Sequence, residues 1–481
     1  MQPKQSPTFA FHRWQKKPFH AGLLTVSACL TVIFFYSCQK NIHTLDNGSQ
    51  ISSSPGNENG HAYGTISSDM VLKWNEAGTQ AWTLFSSATG PAPAAESRIY
   101  AILNLAMHDA LNNIVPKYQT YALKDARDKD ADANAAVAQA AHDVIVAQLP
   151  TQQVFADGLL ATSLASVAGG DAKTRGIALG KAAAAAILAM RANDGSATAM
   201  FPMAEGVQPG EYRFTFPFNG PPFNTAPFSG LYDSPGWGNV TPFGLSSGAQ
   251  FRPGPPDPVN SAAYATDFNE VKSLGRFNSA TRTADQTEIA KFWVESSALG
   301  WNRIARNIIE QKNMGVWETA RLLALLQMTE ADTYIGSLGA KKYYFYWRPV
   351  SAIHLAATDG NANTTADPDW EVVGWNPAGP PDQRYWPTPP VPDYPSGHAT
   401  AGGGAAELIK DFFNTDNISF STTSNALAGV TRNFSSISAA ARENSLSRIY
   451  VGYHFRKACM EGEQLGKNIG KYVFDNYLKE N

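Results

Sequence analysis

Apolar positions recur with a period close to 3.6 residues in two long zones of the chain, and this period predicts amphipathic α-helices. In the first zone, residues 96–114 (ESRIYAILNLAMHDALNNI) place one apolar stripe on a predicted helix, and residues 173–193 (KTRGIALGKAAAAAILAMRAN) are rich in alanine. The stripe consists of Ile99, Ile102, Leu103, Ala106, Ala110 and Leu111. The second zone shows the same period in residues 303–312 and 318–338. Small side chains in these segments predict closely packed helices.

The stretch between the two zones has a different pattern. Residues 214–228 (FTFPFNGPPFNTAPF) and 232–245 (YDSPGWGNVTPFGL) are crowded with proline, glycine and aromatic residues, which excludes regular helix. No run of alternating apolar and polar residues predicts strands anywhere. We therefore expect an all-α fold of packed helical bundles with long Pro/Gly/aromatic loops. Its parts are a helical part at 70–200, a loop-rich wrap at 201–262 and a second helical part at 263–481.

Composition narrows the class of protein. A chain of 481 residues with 43% hydrophobic and 16% charged residues can bury a large core. The net charge of -3, with no Lys/Arg-rich run outside the first twenty residues, excludes a basic surface for nucleic acid.

The N-terminus is typical of an export signal. Basic residues precede an apolar stretch that ends at Cys38, and a Gly/Ser/Asn-rich segment follows it. This pattern predicts a lipoprotein signal peptide at 1–38, lipidation of Cys38 and a flexible tether at 39–69. Cys29, preceded by VSA, is an alternative lipidation site, and an uncleaved membrane anchor is another interpretation. We expect an exported protein of a bacterial envelope, held in the outer membrane by its lipid alone and facing the periplasm or the surface. Cys459 would then be the one cysteine left, which excludes an intramolecular disulfide.

Three segments of the second helical zone carry candidate chemistry. The first is KKYYFYWRP (341–349), in which Lys341 and Arg348 are seven residues apart and would share one face of a helix. Pro349 disfavours helical geometry at Arg348, so we expect that guanidinium at a helix end. On its own, a solvated basic face explains this segment better than a site.

The second segment is YPSGHATAGGG (394–404). Ser396 and Gly397 precede an Ala/Gly-rich predicted helix, so they offer a hydroxyl and free N–H groups where the helix dipole favours an anion. His398 would stand beside that anion. A histidine that merely caps the helix is the simpler interpretation of these letters alone.

The third segment is SRIYVGYHFRKACMEGEQLG (447–466). Arg448 and His454 are six residues apart and would diverge on one unbroken helix. Gly452 is a plausible break, which would let Arg448 end one helix and His454 precede the next. Each side chain taken alone is equally well explained as an ion pair or a core histidine.

Together the segments read K-x6-R-P, P-S-G-H and S-R-x5-H, in that order. This resembles the signature of the type 2 phosphatidic acid phosphatase and vanadium haloperoxidase superfamily. Residues 96–114, the stretch around WGNVTPFGL and the segment RPVSAIH resemble the soluble bacterial haloperoxidase branch, so the resemblance covers about residues 70–475.

The resemblance implies a vanadate cofactor in a cage of charge-assisted donors. The donors would be Lys341, Arg348, Arg448, the Ser396 hydroxyl and the Gly397 N–H. His454 would ligate vanadium, His398 would act as the acid/base, and Lys341 would polarise peroxide. The implied substrates are hydrogen peroxide, a halide (bromide or iodide) and an organic acceptor, and a homo-oligomer is an open alternative.

Three positions depart from the family pattern. Many relatives carry an acid four residues after the second histidine, where this chain has Ala458; we expect Glu461 or a backbone carbonyl to orient His454 instead. Val391 and Leu338 stand where relatives often have a histidine or phenylalanine and a tryptophan. Halide preference is therefore open.

Two other functions stay under consideration. One is an acid phosphatase of phosphomonoesters that uses the same cage, with His454 as nucleophile. The other is a non-catalytic lipoprotein that binds oxyanions. The two histidines argue against mere binding, and the missing acid at Ala458 argues against phosphoryl attack. His108, His142 and His354 receive no role, because polar pairs or packing explain them adequately.

Overall fold

The computed structural model describes residues 66–90, 92–374 and 386–481, and thirteen α-helices dominate these ranges. The predicted lipidation site Cys38, the alternative Cys29 and most of the predicted tether lie outside the described residues. The helices before residue 200 are α1 Asp69–Thr89, α2 Pro93–Ile114, α3 Ala133–Gln148, α4 Gln153–Ala165 and α5 Asp171–Arg191.

Eight helices follow the loop-rich wrap. They are α6 Ala262–Leu274, α7 Ala284–Phe292, α8 Ser297–Lys312, α9 Val316–Tyr344, α10 Pro349–Leu355, α11 Gly397–Phe413, α12 Ile437–Tyr450 and α13 Arg456–Asn476. The predicted all-α class is confirmed. No helix among the described residues is long and apolar enough to cross a membrane.

One short hairpin departs from the all-helical prediction. β1 (Phe420–Thr423) pairs antiparallel with β2 (Thr431–Phe434), with Phe420 opposite Phe434. The two rings lie 5.4 Å apart and close one end of the core. Four residues a strand is too short for a periodic pattern to be visible in the sequence.

The predicted stripe on α2 understates how deeply that helix is buried. Nearly every residue from Ser97 to Ile114 is buried, so α2 lies inside the helical bundle rather than on its surface. α2 and α9 both contribute to one large apolar core, which joins the helices before residue 200 to those after residue 262. The two helical zones therefore share a core.

The wrap is held to this core by a buried carboxylate. Between α5 and α6 the described chain forms no α-helix, as its proline and glycine content predicts. Asp332 of α9 accepts hydrogen bonds from the N–H groups of Phe243, Gly244 and Leu245 at 2.7, 2.7 and 2.9 Å. These bonds satisfy backbone donors that burial would otherwise leave unpaired.

Glycines bring α11 and α13 into backbone contact. A Cβ placed on Gly466 would lie 1.9 Å from the carbonyl oxygen of Thr400, and one on Gly470 would lie 2.4 Å from that of Gly404. The close approach fixes the start of α11 against the start of α13, where the Ser396 N–H donates to the Ala458 carbonyl at 2.9 Å. The two candidate histidines lie on the segments that this contact joins.

Candidate active site

Lys341 and Arg348 reach the site across a helix break. α9 ends at Tyr344 because Phe345 adopts a left-handed conformation (φ 49°), and Arg348 is extended (φ -80°, ψ 156°) as the N-cap of α10. The expectation that one helix face carries both cations was wrong. The prediction that Pro349 places Arg348 at a helix end is confirmed.

Both side chains are buried and hydrogen-bonded to the segment that precedes α11. The Lys341 ammonium donates to the carbonyl oxygens of Pro392 at 2.7 Å and Asp393 at 2.8 Å. The Arg348 Nε donates to the Val391 carbonyl at 2.7 Å and its Nη1 to the Tyr453 carbonyl at 2.9 Å. Backbone carbonyls thus orient two cations without supplying a formal negative charge.

Arg448 lies in the last turn of α12 and supplies a third buried cation. Its Nη1 donates to the Trp293 carbonyl at 2.9 Å, whereas its buried Nε makes no hydrogen bond within the described ranges. An unpaired buried guanidinium N–H is costly unless a ligand accepts from it. This donor is therefore suited to a bound anion.

The start of α11 adds backbone donors. Ser396 is the fully buried N-cap, and its Oγ lies 3.4 Å from the Ala399 N–H. The first-turn N–H groups of Gly397 and His398 make no backbone hydrogen bond to the described residues. Free amide groups at a helix N-terminus attract anions through both their hydrogens and the helix dipole.

His398 stands at the same helix start. Its Nε2 donates to the Glu295 carbonyl at 3.0 Å, because a carbonyl can only accept, which leaves Nδ1 as an acceptor. Burial, reinforced by the nearby Arg448, holds the pKa of His398 well below its usual value. The ring is thus neutral near pH 7 until a negative charge enters the site.

His454 lies between α12 and α13, as the predicted break requires. Gly452 adopts φ 91°, and the N–H groups of Tyr453 and His454 turn back to the Arg448 carbonyl at 3.0 and 3.3 Å. The left-handed conformation is one that glycine adopts without strain. This turn brings His454 back toward Arg348 and completes the convergence of the three segments.

The tautomer of His454 follows from its partners. The Arg348 Nη1 lies 2.9 Å from His454 Nε2, and arginine has only donors, so Nε2 accepts. The ring proton therefore sits on Nδ1, which lies 2.8 Å from Asp393 Oδ1. Burial and Arg348 lower the pKa of His454 well below its usual value. The ring is neutral, with a basic lone pair on Nε2.

Asp393, which contacts His454, is a residue that sequence reasoning did not indicate. Its carboxyl is 1% exposed, and burial raises its pKa to about 7 against the opposing effect of Arg348 and Lys341. Glu461, the expected substitute for an acid at Ala458, instead pairs with Lys457 at 2.8 Å and does not orient His454. An acid five residues before His398 (PDYPSGH) was the available indication.

The three cations give the site a strong preference for anions. Burial lowers the pKa of Lys341 well below its usual value and that of Arg448 to about 10, and it also lowers that of Arg348. Each shift measures the cost of a buried positive charge, which a bound anion would reduce. Asp393 is the carboxylate that interacts with Lys341 and Arg348, and no carboxylate among the described residues pairs with Arg448, so the donor set fits a small oxyanion with several negative oxygens.

The other histidines within the described ranges lie in contacts with carboxylates or a backbone carbonyl. His108 contacts Asp109, which accepts the N–H groups of Tyr121, Ala122 and Leu123. His354 Nε2 contacts the Trp370 carbonyl at 2.7 Å. His142 bridges two carboxylates on α3 and α4.

Two of the three positions that depart from the family pattern, Val391 and Leu338, lie in one apolar cluster, and the Val391 carbonyl accepts from Arg348. Val391 and Leu338 pack with Tyr212 and Phe345 in a small apolar cluster. Trp347 is fully buried, and its ring stacks on that of Tyr264 with the centroids 6.4 Å apart.

Comparisons with known proteins agree with this architecture. A family model described as the VCPO second helical-bundle domain matches residues 321–480, which contain all three segments. The vanadium chloroperoxidase of Curvularia inaequalis is 25% identical, over 80% of this chain and 78% of that protein.

Solved structures show the same fold. The crystal structure of the first bacterial vanadium-dependent iodoperoxidase matches with a TM-score of 0.69 and 23% identity, over 89% of this chain and 99% of that one. An apo-type bacterial vanadium-dependent chloroperoxidase matches with a TM-score of 0.62 and 16% identity, over 79% and 92% of the two chains. At these identities the structural likeness establishes the helical architecture.

Proposed function

Because the chain belongs to the vanadium haloperoxidase branch of the type 2 phosphatidic acid phosphatase superfamily, we propose that it is a vanadate-dependent haloperoxidase. In this reaction hydrogen peroxide, a halide ion and one proton give hypohalous acid and water. The hypohalous acid then halogenates or oxidises an organic acceptor.

The convergence of three buried cations on the unprotonated Nε2 of His454 carries the proposal. Lys341, Arg348 and Arg448 would hold vanadate oxygens together with Ser396 and the Gly397 N–H, and His454 Nε2 would ligate vanadium. The orphaned Arg448 Nε and the free N–H groups at the start of α11 are the kinds of donor that such an oxyanion needs. Bound vanadate would act as a Lewis acid that activates peroxide toward halide.

The protein's own residues would transfer protons and polarise the bound oxygen. His398, neutral in the structure, can accept a proton from peroxide at Nδ1 and return it to the departing oxygen. The Lys341 ammonium keeps two donors on backbone carbonyls, so its third N–H is available to polarise a bound oxygen. Burial of these groups strengthens both effects, because the local dielectric is low.

Bromide or iodide is the proposed halide. Of the structures compared above, the iodoperoxidase has the highest TM-score, and it spans most of both chains. The apolar wall of Val391, Leu338 and Tyr212 supports a large, weakly hydrated halide over a small one.

The test compares purified protein before and after reconstitution with vanadate in phosphate-free buffer. With hydrogen peroxide, the reconstituted protein should form triiodide from iodide and brominate phenol red, and the untreated protein should do neither. Vanadate that binds without supporting either reaction would contradict the proposal.

The contact between Asp393 and His454 favours a second candidate, an acid phosphatase of phosphomonoesters. Phosphoryl attack requires a well-oriented imidazole, and the absence of an acid at Ala458 seemed to argue against it. Asp393 supplies that orientation from another segment, so the argument does not hold. Hydrolysis of p-nitrophenyl phosphate with a trapped phosphohistidine at 454, and no halide oxidation by the vanadate-loaded protein, would establish the phosphatase instead.

We also propose that a lipid on Cys38 anchors the protein in the outer membrane. The support is the basic, apolar and Cys-terminated leader with its polar tether. Mass spectrometry of the mature N-terminus should find a diacylglyceryl cysteine at position 38; an unmodified soluble N-terminus near that position would contradict the anchor.

A further inference from the structure

His454 contacts an acid on the segment before α11, whereas position 458, one turn after His454 on α13, holds an alanine. Asp393 Oδ1 lies 2.8 Å from His454 Nδ1, and the 454–393 contact joins residues 61 apart in sequence. Ala458, one turn into the following helix, is fully buried beside the same segment. A carboxylate at position 458 could therefore also reach the imidazole of His454.

Asp393 and Ala458 face one small cavity. That cavity has a volume of about 10 Å³, close to the space for one water molecule, and its lining also includes Tyr346, Phe455 and the acids Asp257 and Asp267. The Ser396 N–H donates to the Ala458 carbonyl at 2.9 Å, which holds the two segments side by side. A carboxylate on either segment would therefore lie close to His454, whose Nδ1 has one proton to donate.

Backbone contacts hold Asp393 in its orientation. Its N–H donates to the Tyr346 carbonyl at 2.9 Å, and its own carbonyl accepts from the Lys341 ammonium at 2.8 Å. The residue thus links the segment of Lys341 and Arg348 to His454. A side chain held in this way can fix the plane of the imidazole as well as its tautomer.

We propose that Asp393 is the positioning residue of His454, and that Asp393 and Ala458 form an exchangeable pair in which one, and only one, position carries the carboxylate. Asp393 keeps the proton on Nδ1 and so leaves Nε2 unprotonated, where it accepts from Arg348 Nη1. The test by vanadate binding rests on the proposed function. The test by histidine resonances rests only on the contact between Asp393 and His454.

The spectroscopic test needs no cofactor. Protein labelled with ¹⁵N in its histidine rings should show a strongly downfield Nδ1–H resonance for His454, assigned by its loss in His454→Gln. Asp393→Ala should abolish or shift this resonance upfield, while the resonances of His142 and His354 stay in place and report an intact fold. An unchanged His454 resonance in Asp393→Ala would overturn the proposal.

The binding test is a double-mutant cycle read as vanadate affinity. Asp393→Ala should weaken vanadate binding about 10- to 100-fold, the usual effect of removing a group that orients a metal-ligating histidine. Ala458→Asp alone should also weaken it, because a second carboxylate would compete with Asp393 for the one Nδ1 proton of His454. In the Asp393→Ala background the same Ala458→Asp change should restore most of the affinity, so its effect reverses sign.

Two further variants test whether the effect of Asp393 comes from its contact with His454 rather than from its charge or shape alone. Asp393→Asn keeps the shape without the charge and should lie between wild type and Asp393→Ala. Asp257→Asn removes a carboxylate that lines the same cavity without contacting His454, and it should leave both readouts unchanged.

The outcomes distinguish the two claims. If folded wild type fails to bind vanadate, the proposed function falls, and the histidine resonance still decides the role of Asp393. If wild type binds vanadate and Asp393→Ala binds it equally well, the positioning role is wrong and the proposed function stands. A double variant as weak as Asp393→Ala, with native His142 and His354 resonances, would overturn the exchange of positions.

Discussion

Glu330 should make the stability of the protein fall between mildly acidic and alkaline pH. It lies within α9, is fully buried, and neither carboxyl oxygen has a hydrogen-bond partner among the described residues. Burial, with a smaller effect of Glu96, raises the pKa of Glu330 to about 8. The carboxyl is therefore protonated in the folded protein at neutral pH.

The sign and size follow from proton linkage. The unfolded chain releases the proton near pH 4.5 and the folded protein only near pH 8, so stability declines as pH rises between these values and then levels off. The difference of about 3.5 pKa units corresponds to roughly 3–5 kcal/mol at 1.36 kcal/mol a unit, allowing for relaxation around the buried charge. Glu330→Gln removes the ionisable group and keeps nearly the same shape.

The assay is thermal or urea unfolding of wild type and Glu330→Gln from pH 5 to pH 9. The two proteins should be similar at pH 5, and the variant should be the more stable by several degrees at pH 9. Glu310→Gln, at an exposed position of α8, should follow wild type throughout. Parallel curves for wild type and Glu330→Gln across the whole range would refute the reasoning.

Three other perturbations test the packing and the charges. Gly466→Ala should lower the free energy of unfolding in urea by about 1–3 kcal/mol or more, because its Cβ would lie 1.9 Å from a backbone oxygen. The control Gly158→Ala, whose Cβ would have no atom within 4 Å, should be neutral or stabilising. Equal effects of the two changes would contradict the packing of α11 on α13. The pKa of His142 is raised, mainly by Asp143, so its bridge to the two carboxylates stabilises the protein below the unfolded pKa of about 6.5, and this stabilisation is lost as pH rises through the folded pKa. His142→Gln should therefore lower the free energy of unfolding at pH 5.5 and change it little at pH 9. The same loss of stability at both pH values would exclude this linkage. Arg348→Ala and Arg448→Ala should each weaken vanadate binding about 10-fold or more in calorimetry, since each removes a buried charge-assisted donor. Unchanged vanadate affinity in both variants would show that neither arginine binds the anion.

The sequence predicted that the three segments meet at one site, but it did not predict the backbone conformation within each segment. The three segments carry recognisable spacing, and Gly452 marks the break that returns His454 to Arg348. The left-handed Phe345 carries no such mark, because a bulky residue rarely adopts that conformation, so Lys341 and Arg348 were assigned to one helix.

Contacts between distant segments were the least predictable feature. Helical spacing predicts which residues meet one turn apart, such as 454 and 458, and it directed attention to Ala458 and Glu461. It contains no information about Asp393, which meets His454 only because α11 and α13 pack through their glycines. The buried Glu330 was missed for the same reason, since its environment comes from neighbouring helices.

X-ray absorption at the vanadium edge tests most directly whether His454 is the vanadium ligand. Wild type reconstituted with vanadate should show one vanadium–nitrogen bond in addition to its oxygen ligands. His454→Ala should lose that bond and the oxidation of iodide and bromide, while the cations still hold vanadate loosely. His398→Ala should keep the bond and oxidise halide slowly. A vanadium–nitrogen bond that persists in His454→Ala, or its absence from active wild type, would contradict the account.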